Sequence, residues 1–379
     1  MGKILALAQT AAEEAEVFTL SSEETQVHFE ANRLKQLQTK QQASVALRIV
    51  KDGRIGYATS TRQDDAEELV RHAVETARLG ITAKFRLPSL GSYPEIEVFD
   101  AAVEAVPIEQ MINLGEEMIS KITAHTPGII CDSSISKGVL SVSIINSRSQ
   151  QVDYRKSFFS LGIDGNLTKG TDMLFVGEMA SSCHPLPDTK AVTSAVLRQL
   201  ELAKTQASVP SGLMPVVFTP NGITSSLIMP LMASCNGKTV LEGASPIGDK
   251  IGQKVFDEQL SLHDDPTITH QPGSRPFDDE GIPSQRTPIV EQGTITNFLY
   301  DLQTAALAGT RSTGNGSRNR GGLPSPSPSA FTITAGTITF EEMVRDIKQG
   351  LVIEQLMGAE QGNILGGDFS GNVLLGYKV

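Results

Sequence analysis

Tryptophan is absent from the 379 residues, which removes one common interface anchor and decides nothing more. Cysteine is scarce: Cys131, Cys183 and Cys235 are odd in number and widely spaced. That pattern speaks against a disulfide framework and for reduced thiols used in packing. Long apolar runs are missing as well. The N-terminal stretch MGKILALAQTAAEEAEVFTL holds an apolar run of only about five residues, too short for a signal-peptide core and far short of a membrane span. A cytoplasmic location and no membrane partner are the expectations. No basic stripe interrupts a chain of net charge -11. Direct nucleic-acid binding, which draws on a concentrated positive field, is therefore not expected.

What is present describes an ordinary folded protein. Hydrophobic residues make up 39% and charged residues 20%, a balance that leaves little room for long disorder. The length points to two or three domains.

Period-2 alternation dominates the start of the chain, from Gln26 through VALRIV and GRIGYATST, with Asp52-Gly53 as a two-residue hairpin signal. RQDDAEELVRHAVETARLG then changes to helical spacing, with Leu69, Val70, Ala73, Val74 and Ala77 on one face and Gly80 as a stop. His72 on this helix reads as solvated or as a core partner. Residues 84–108, with Pro88, Pro94 and Pro107, have no sustained period and place a boundary. A second helix follows, with Ile108, Met111, Ile112, Met118, Ile119 and Ile122 as its stripe. Strands and a further helix, DTKAVTSAVLRQLELAKTQA, come next. A third unit opens near Ser211 with a short strand, a Pro-Asn-Gly turn and the apolar helix ITSSLIMPLMASC. Later, Thr339 or Thr337 with Glu341 and Glu342 marks a helix start, and Gly350 its end.

Segregated helices and antiparallel strands predict an α+β fold: N-terminal antiparallel-sheet-plus-helix units followed by a β-rich C-terminal domain. The expected division is 1–95, 105–208 and 211–379. The chain stops on an alternating apolar run, which reads as a final strand whose neighbours are missing.

Candidate chemistry is sparse. His263-Asp264-Asp265 with His270 is the one local cluster with metal-ligand spacing, but its loop SLHDDPTITHQPGSRPFDDEG is rich in Pro and Gly, and a solvated acidic loop is the preferred reading. Asp278-Asp279-Glu280-Gly281 lacks the ligand alternation of a calcium site and reads as a turn capping backbone amides. Cys183 and His184 are adjacent and so point apart in extended chain, which favours packing over a dyad. GNGSRNRGG, residues 314–322, faintly resembles a phosphate cradle, but no Lys-Ser/Thr follows it. Arg311, Arg318 and Arg320 around it are the densest positive group and could receive a carboxylate or an acidic partner surface.

The string DDEGIPSQRTPIVEQGTITNFLYDLQTAALAGTRSTGNGSR, residues 278–318, with GRIGYATST, the helix ending in ARLG, and GDFSGNV near the end, resembles the TldD/PmbA family, whose members are also called TldE or "modulator of DNA gyrase" proteins. The resemblance implies a cytoplasmic zinc metallopeptidase system in which a TldD-type subunit pairs with a PmbA/TldE-type subunit and cleaves short or unfolded peptides. The catalytic subunit carries His-Glu-x-x-x-His on the helix behind the first strand of its C-terminal unit, where two His bind zinc and Glu is the base.

Counted back from SPIGDKIGQKV, that motif falls on IMPLMA, so Ile228 and Ala233 stand at the ligand positions and Met229 at the base. No His occurs between His184 and His263, and no Cys follows Cys235. The resemblance therefore implies a non-catalytic subunit, with no catalytic or metal residue in this chain. Zinc is expected in a TldD-type partner, an unfolded peptide as substrate, and a hetero-oligomer or homodimer as the assembly. Asp278, Asp279, Glu280, Asn315 and Arg318 are the expected peptide- or partner-binding residues. Two alternatives stay open: a metal-dependent hydrolase using His263, Asp264, Asp265 and His270, or a protein-binding regulator of a topoisomerase or an antitoxin.

Overall fold

The computed structural model describes the chain apart from residues 63–64, 171, 320–321, 359–361 and 367–369 and the side chains of Ser225 and Ile364. Arg320 and the first three residues of GDFSGNV thus lie outside the described residues.

Helix α1 (Gly2–Ala11) has no side-chain cap and is held by Ile4 and Ala8, which are buried one turn apart. No repeat long enough to announce it exists in its ten residues. Strands β1 (Glu14–Glu30), β2 (Arg33–Lys51) and β3 (Arg54–Ser60) then form an antiparallel meander. Asp52 and Gly53 adopt φ of 51° and 68° at the β2–β3 turn, the left-handed pair that a type I′ hairpin demands. Helix α2 (Ala66–Ala77) starts where Asp65 accepts the Glu68 N–H at 3.3 Å, and it buries Leu69, Val70, Ala73 and Ala77, the face its periodicity predicts.

The connector ends in helix α3 (Ala101–Ala105). Helix α4 (Ile108–His125) follows and buries Met111, Met118, Ile119 and Ile122, joined by Leu114 and Gly115, while Ile108 stays exposed. Strands β4 (Ile130–Asn146), β5 (Gln151–Lys169) and β6 (Asp172–Ser182) and helix α5 (Lys190–Leu202) complete this part.

All six strands join one antiparallel sheet in the order β3-β2-β1-β4-β5-β6. Pairing of β1 with β4 runs from Glu16↔Asn146 to Phe29↔Ser133. The boundary expected between 95 and 105 is therefore a chain crossing and not a division of the sheet. Each half buries a long strand edge of the other, which neither could leave open. One face is covered by α1 and α2 over Ala15, Val17, Val45, Leu47 and Ile49, and farther along by α4 and α5 over Val27, Phe29, Ile135 and Phe159. The opposite face presents Phe18, Ala46, Val142, Ile144 and Val152 to Phe277 of the third unit, with Tyr93 and Tyr154 edge-on to that ring at 5.5 and 5.1 Å.

The third unit opens with β7 (Val216–Phe218), α6 (Pro220–Ile223), a π turn at Thr224–Ile228, α7 (Met229–Ser234) and α8 (Gly237–Leu241). It continues through β8 (Leu262–Asp264), β9 (Thr287–Glu291), β10 (Thr294–Ile295), α9 (Leu302–Leu307), β11 (Gly316–Ser317), β12 (Ser325–Pro326) and β13 (Phe331–Ile333). Helix α10 (Phe340–Arg345) and strands β14 (Leu351–Met357) and β15 (Asn372–Lys378) end it. Small sheets of order β10-β9-β8-β13, β11-β12 and β15-β14-β7 build it, with β7 parallel to β14. Thr339 and Glu342 form the reciprocal cap of α10. That helix stops at Arg345, ahead of the expected Gly350, which instead lies so close to Pro215 that a Cβ would sit 2.6 Å from its carbonyl oxygen.

Candidate functional site

The place where a strand hands over to a helix is built as the sequence suggests. Thr219 accepts the Gly222 N–H at 3.2 Å and Pro220 occupies the first turn. The helix runs on through the π turn to Ser234. That widened turn lies directly ahead of Pro230, whose ring would collide with the carbonyl four residues back in a regular helix. Ile228 and Ala233 are half-buried and Met229 is 55% exposed. The segment is thus a half-buried helix, with Leu231 and Cys235 packed inward and Met229 turned outward. None of these three side chains fits a zinc site of the His-Glu-x-x-x-His type, since isoleucine and alanine offer no donor and methionine cannot take a proton.

The five residues expected to contact peptide or partner lie elsewhere and turn inward. Asp278 is fully buried and accepts the N–H groups of Glu280 (2.9 Å), Ile282 (2.9 Å) and Gly316 (2.8 Å). Asp279 accepts the Arg318 N–H at 2.7 Å. Glu280, also fully buried, takes one bond from Arg48 and another from the Leu302 N–H at 2.7 Å. Arg48 reaches Glu16 at 3.0 Å, and Arg318 closes the chain of charges onto the other Glu16 oxygen. Asn315 donates to Asp264 at 2.7 Å. These side chains are spent on one another, which corrects the expectation of a binding surface formed by them. They clamp the third unit onto β1 and β2 instead.

The loop around Gly314 behaves as a cradle, but its anions are internal: the Gly316 and Arg318 amides hold Asp278 and Asp279. Arg318 is likewise committed, while Arg311 is exposed.

Among Glu16, Arg48, Asp278, Glu280 and Arg318, three buried carboxylates face two buried guanidiniums. Burial, resisted by Arg275 and three backbone N–H groups, pushes Asp278 up to about 6. Burial, resisted by Arg48 and reinforced by Asp278, Asp301 and Glu16, pushes Glu280 up to about 8 from a usual 4.5. A raised carboxyl stabilises the fold fully below its unfolded-state value, and that stability is lost as pH rises through the folded value. His263, held below its usual 6.5 by burial, works in the opposite sense only beneath that pH. The urea midpoint is therefore expected to fall as pH rises from about 6.5 to about 8; a midpoint that rises across this window contradicts the assignment.

The alternative metal set is not assembled. Asp264 accepts the Ser329 and Ala330 amides at 2.9 and 2.6 Å, Asp265 bonds the Thr267 N–H at 3.1 Å, and His263 lies 3.4 Å from the Thr334 hydroxyl. His270 belongs to another group, 3.2 Å from Glu97 and ring-to-ring with His184 at 3.8 Å. Among the described residues no three His, Cys, Asp or Glu converge as metal ligands. Cys183 is buried and His184 bonds Asp100 at 2.7 Å, so the two form no dyad. The other two cysteines are buried as well, as packing residues would be.

One feature escapes sequence reasoning altogether. A groove of about 500 Å³ lies between the sheet and the N-terminal end of the α6–α7 helix, lined by His28, Asp132, Asp164, Glu178, Asn221 and Gln355 together with Ser133, Ser134, Ser136 and Ser160. Asn221 donates to Glu178 at 3.1 Å, bridging the sheet and the helix. Burial, and Asp132 beside it, raises the Asp164 carboxyl above the usual range. Its lining comes from five strands and a helix, so no local motif marks it.

A long antiparallel sheet clamped to a β-rich unit is a mixed α+β architecture shared with solved proteins of one family. The chain belongs to the PmbA/TldD family: residues 15–77 match the PmbA/TldA metallopeptidase domain 1 and residues 211–379 the PmbA/TldA metallopeptidase C-terminal domain. An uncharacterised protein of Methanocaldococcus jannaschii is 26% identical over 99% of this chain and 87% of its own length. A metalloprotease TldD homologue of Haemophilus influenzae is 31% identical, but over only 48% of this chain and 38% of its own length. The fold is shared with TldE of Thermococcus kodakarensis (TM-score 0.85, 21% identity, 95% of this chain and 83% of that one). It is shared equally with a Thermotoga maritima protein described as a modulator of a DNA gyrase (TM-score 0.90, 21% identity, 100% and 87%). Among the described residues no helix is long and apolar enough to cross a membrane.

Proposed function

We propose that this chain is the non-catalytic, PmbA/TldE-type subunit of a cytoplasmic zinc metallopeptidase pair, in which a TldD-type partner holds the metal and the base and the pair cleaves short or unfolded peptides. One observation carries this reading. The helix behind the first strand of the C-terminal unit is capped by Thr219, whose N–H is tied to Ile353 of β14, and in the register read from the sequence it carries Ile228, Met229 and Ala233 at the positions where the resemblance expects ligands and base. Nowhere in the chain is a His followed by Glu. When bound in the partner, zinc supplies the activated water.

This chain's own residues would bind and orient. The serine-lined groove offers hydroxyls and carboxylates to peptide backbone and to cationic side chains. A regulator of a topoisomerase, as the Thermotoga protein's description suggests, is favoured by no feature among the described residues.

Mixed with a TldD-type subunit, Met229→Ala is expected to leave peptide turnover unchanged, whereas Asp164→Asn combined with Glu178→Gln slows it by raising KM. Loss of turnover in Met229→Ala with the pair still assembled would give this helix a chemical role and remove the proposal.

A further inference from the structure

The six-stranded sheet has an edge that is bare for most of its length. Strand β3 lies beside β2 only from Val45↔Ser60 to Lys51↔Arg54, whereas β2 extends back to Arg33 with β1 on its other side. Along Arg33–Ser44 no described strand pairs with the outer edge. At 3.3 Å per residue this bare stretch is about 40 Å long, and its outward N–H and C=O groups are a template for one more strand.

Three observations say what fits there. The side chains from Arg33 to Ala43 are all exposed. Leu34 and Leu37 lie opposite Phe29 and Val27, on the face that α4 covers, yet they are 47% and 51% exposed where those neighbours are 1% and 0%. Apolar groups at alternate positions of an added strand would cover them. A cavity of about 530 Å³ lined by β1, β4 and α3 also reaches this strand at Gln41, Gln42 and Ala43.

The third observation is charge. Arg33–Ser44 contains Arg33, Lys35 and Lys40 and no acid, in a chain of net charge -11. Lys35 meets Glu30 at 3.2 Å, but both side chains are more than half exposed and the pair holds it weakly.

We propose that the outer edge of β2, Arg33–Ser44, is a docking edge for an extended acidic peptide segment, which adds antiparallel to β2 in the row that β3 leaves at Ser60. Backbone pairing supplies the affinity, Leu34 and Leu37 take its apolar side chains, and the three basic residues select for acid. The proposal goes beyond the subunit reading, since it needs neither the partner nor zinc.

The test uses the full chain alone. The probe is a capped peptide of about ten residues, long enough to span most of the edge, alternating Val or Thr with Glu. Its controls replace Glu by Lys or carry N-methyl groups at alternate residues. The acidic probe is expected to slow hydrogen exchange at residues 33–44 and to bind roughly tenfold tighter than the Lys probe at low salt. N-methylation abolishes the protection, and Lys35→Glu with Lys40→Glu reverses the charge preference. Protection absent from 33–44, or equal with the N-methylated probe, overturns the proposal. So does protection that grows with chain concentration in the absence of peptide, because a second copy then occupies the edge. A peptidase assay of the mixed pair can fail without affecting any of these results.

Discussion

Above about pH 8, where Glu280 is ionised, replacing Arg48 by Met is expected to remove about 3–5 kcal/mol of stability, the cost of leaving a buried carboxylate without its cation. Arg48 is 3% exposed between Glu16 and Glu280, both at 0%. Methionine fills most of the volume, so the loss reports charge rather than a cavity. Glu16 would retain Arg318, whereas Glu280 would keep only the Leu302 amide. Two further results follow from that asymmetry. The cost should be largest above about pH 8 and shrink as pH falls through that value, where Glu280 takes up its proton. The double substitution Arg48→Met with Glu280→Met should recover part of it, because an apolar pair has no charge to strand. Urea unfolding of the single and double variants reads both effects. A single variant within about 0.5 kcal/mol of the parent, the range of an ordinary surface change, would mean that these charges do not clamp the third unit to the sheet.

A substitution of Gly222 by Ala is expected to cost about 1–3 kcal/mol and to displace the helix that follows. The added Cβ would lie 2.1 Å from the Ile353 carbonyl oxygen, which is backbone and cannot rotate away. Either the helix start or β14 must move. Thr219, whose N–H donates to that same carbonyl at 3.0 Å, would move with it. Since Asn221 bridges to Glu178 across the groove, the groove should open at that end. A lowered unfolding midpoint together with weakened assembly with the TldD-type subunit is the expected pair of results. Parent-like stability would show that the strand-to-helix junction tolerates a looser seat than its packing indicates.

Local features were legible in the sequence because each is written in adjacent residues. The Asp52-Gly53 turn, the stripe of α2 and the reciprocal cap at Thr339 all follow from short-range rules. The joining of β1 to β4 was not, since its register is set between residues more than a hundred apart, such as Glu16 and Asn146. The same reason explains Asp278, Glu280 and Arg318. Their loops are recognisable as a pair, but what turns them inward is Glu16 and Arg48, two polar residues on strands where alternation reads as solvent-facing. Only the docked third unit makes that face an interior. The apolar helix shows the converse. Ile228, Met229 and Ala233 are all apolar, yet none is fully buried: Ile228 and Ala233 are half-buried and Met229 is exposed.

The most direct test of the subunit reading is zinc content and peptide hydrolysis measured on the purified chain alone and on the chain mixed with a TldD-type subunit. The expected result is no stoichiometric zinc and no cleavage of an unstructured peptide by the chain alone, with chelator-sensitive cleavage by the mixture. Cleavage by the chain alone that a chelator abolishes and zinc restores would contradict it.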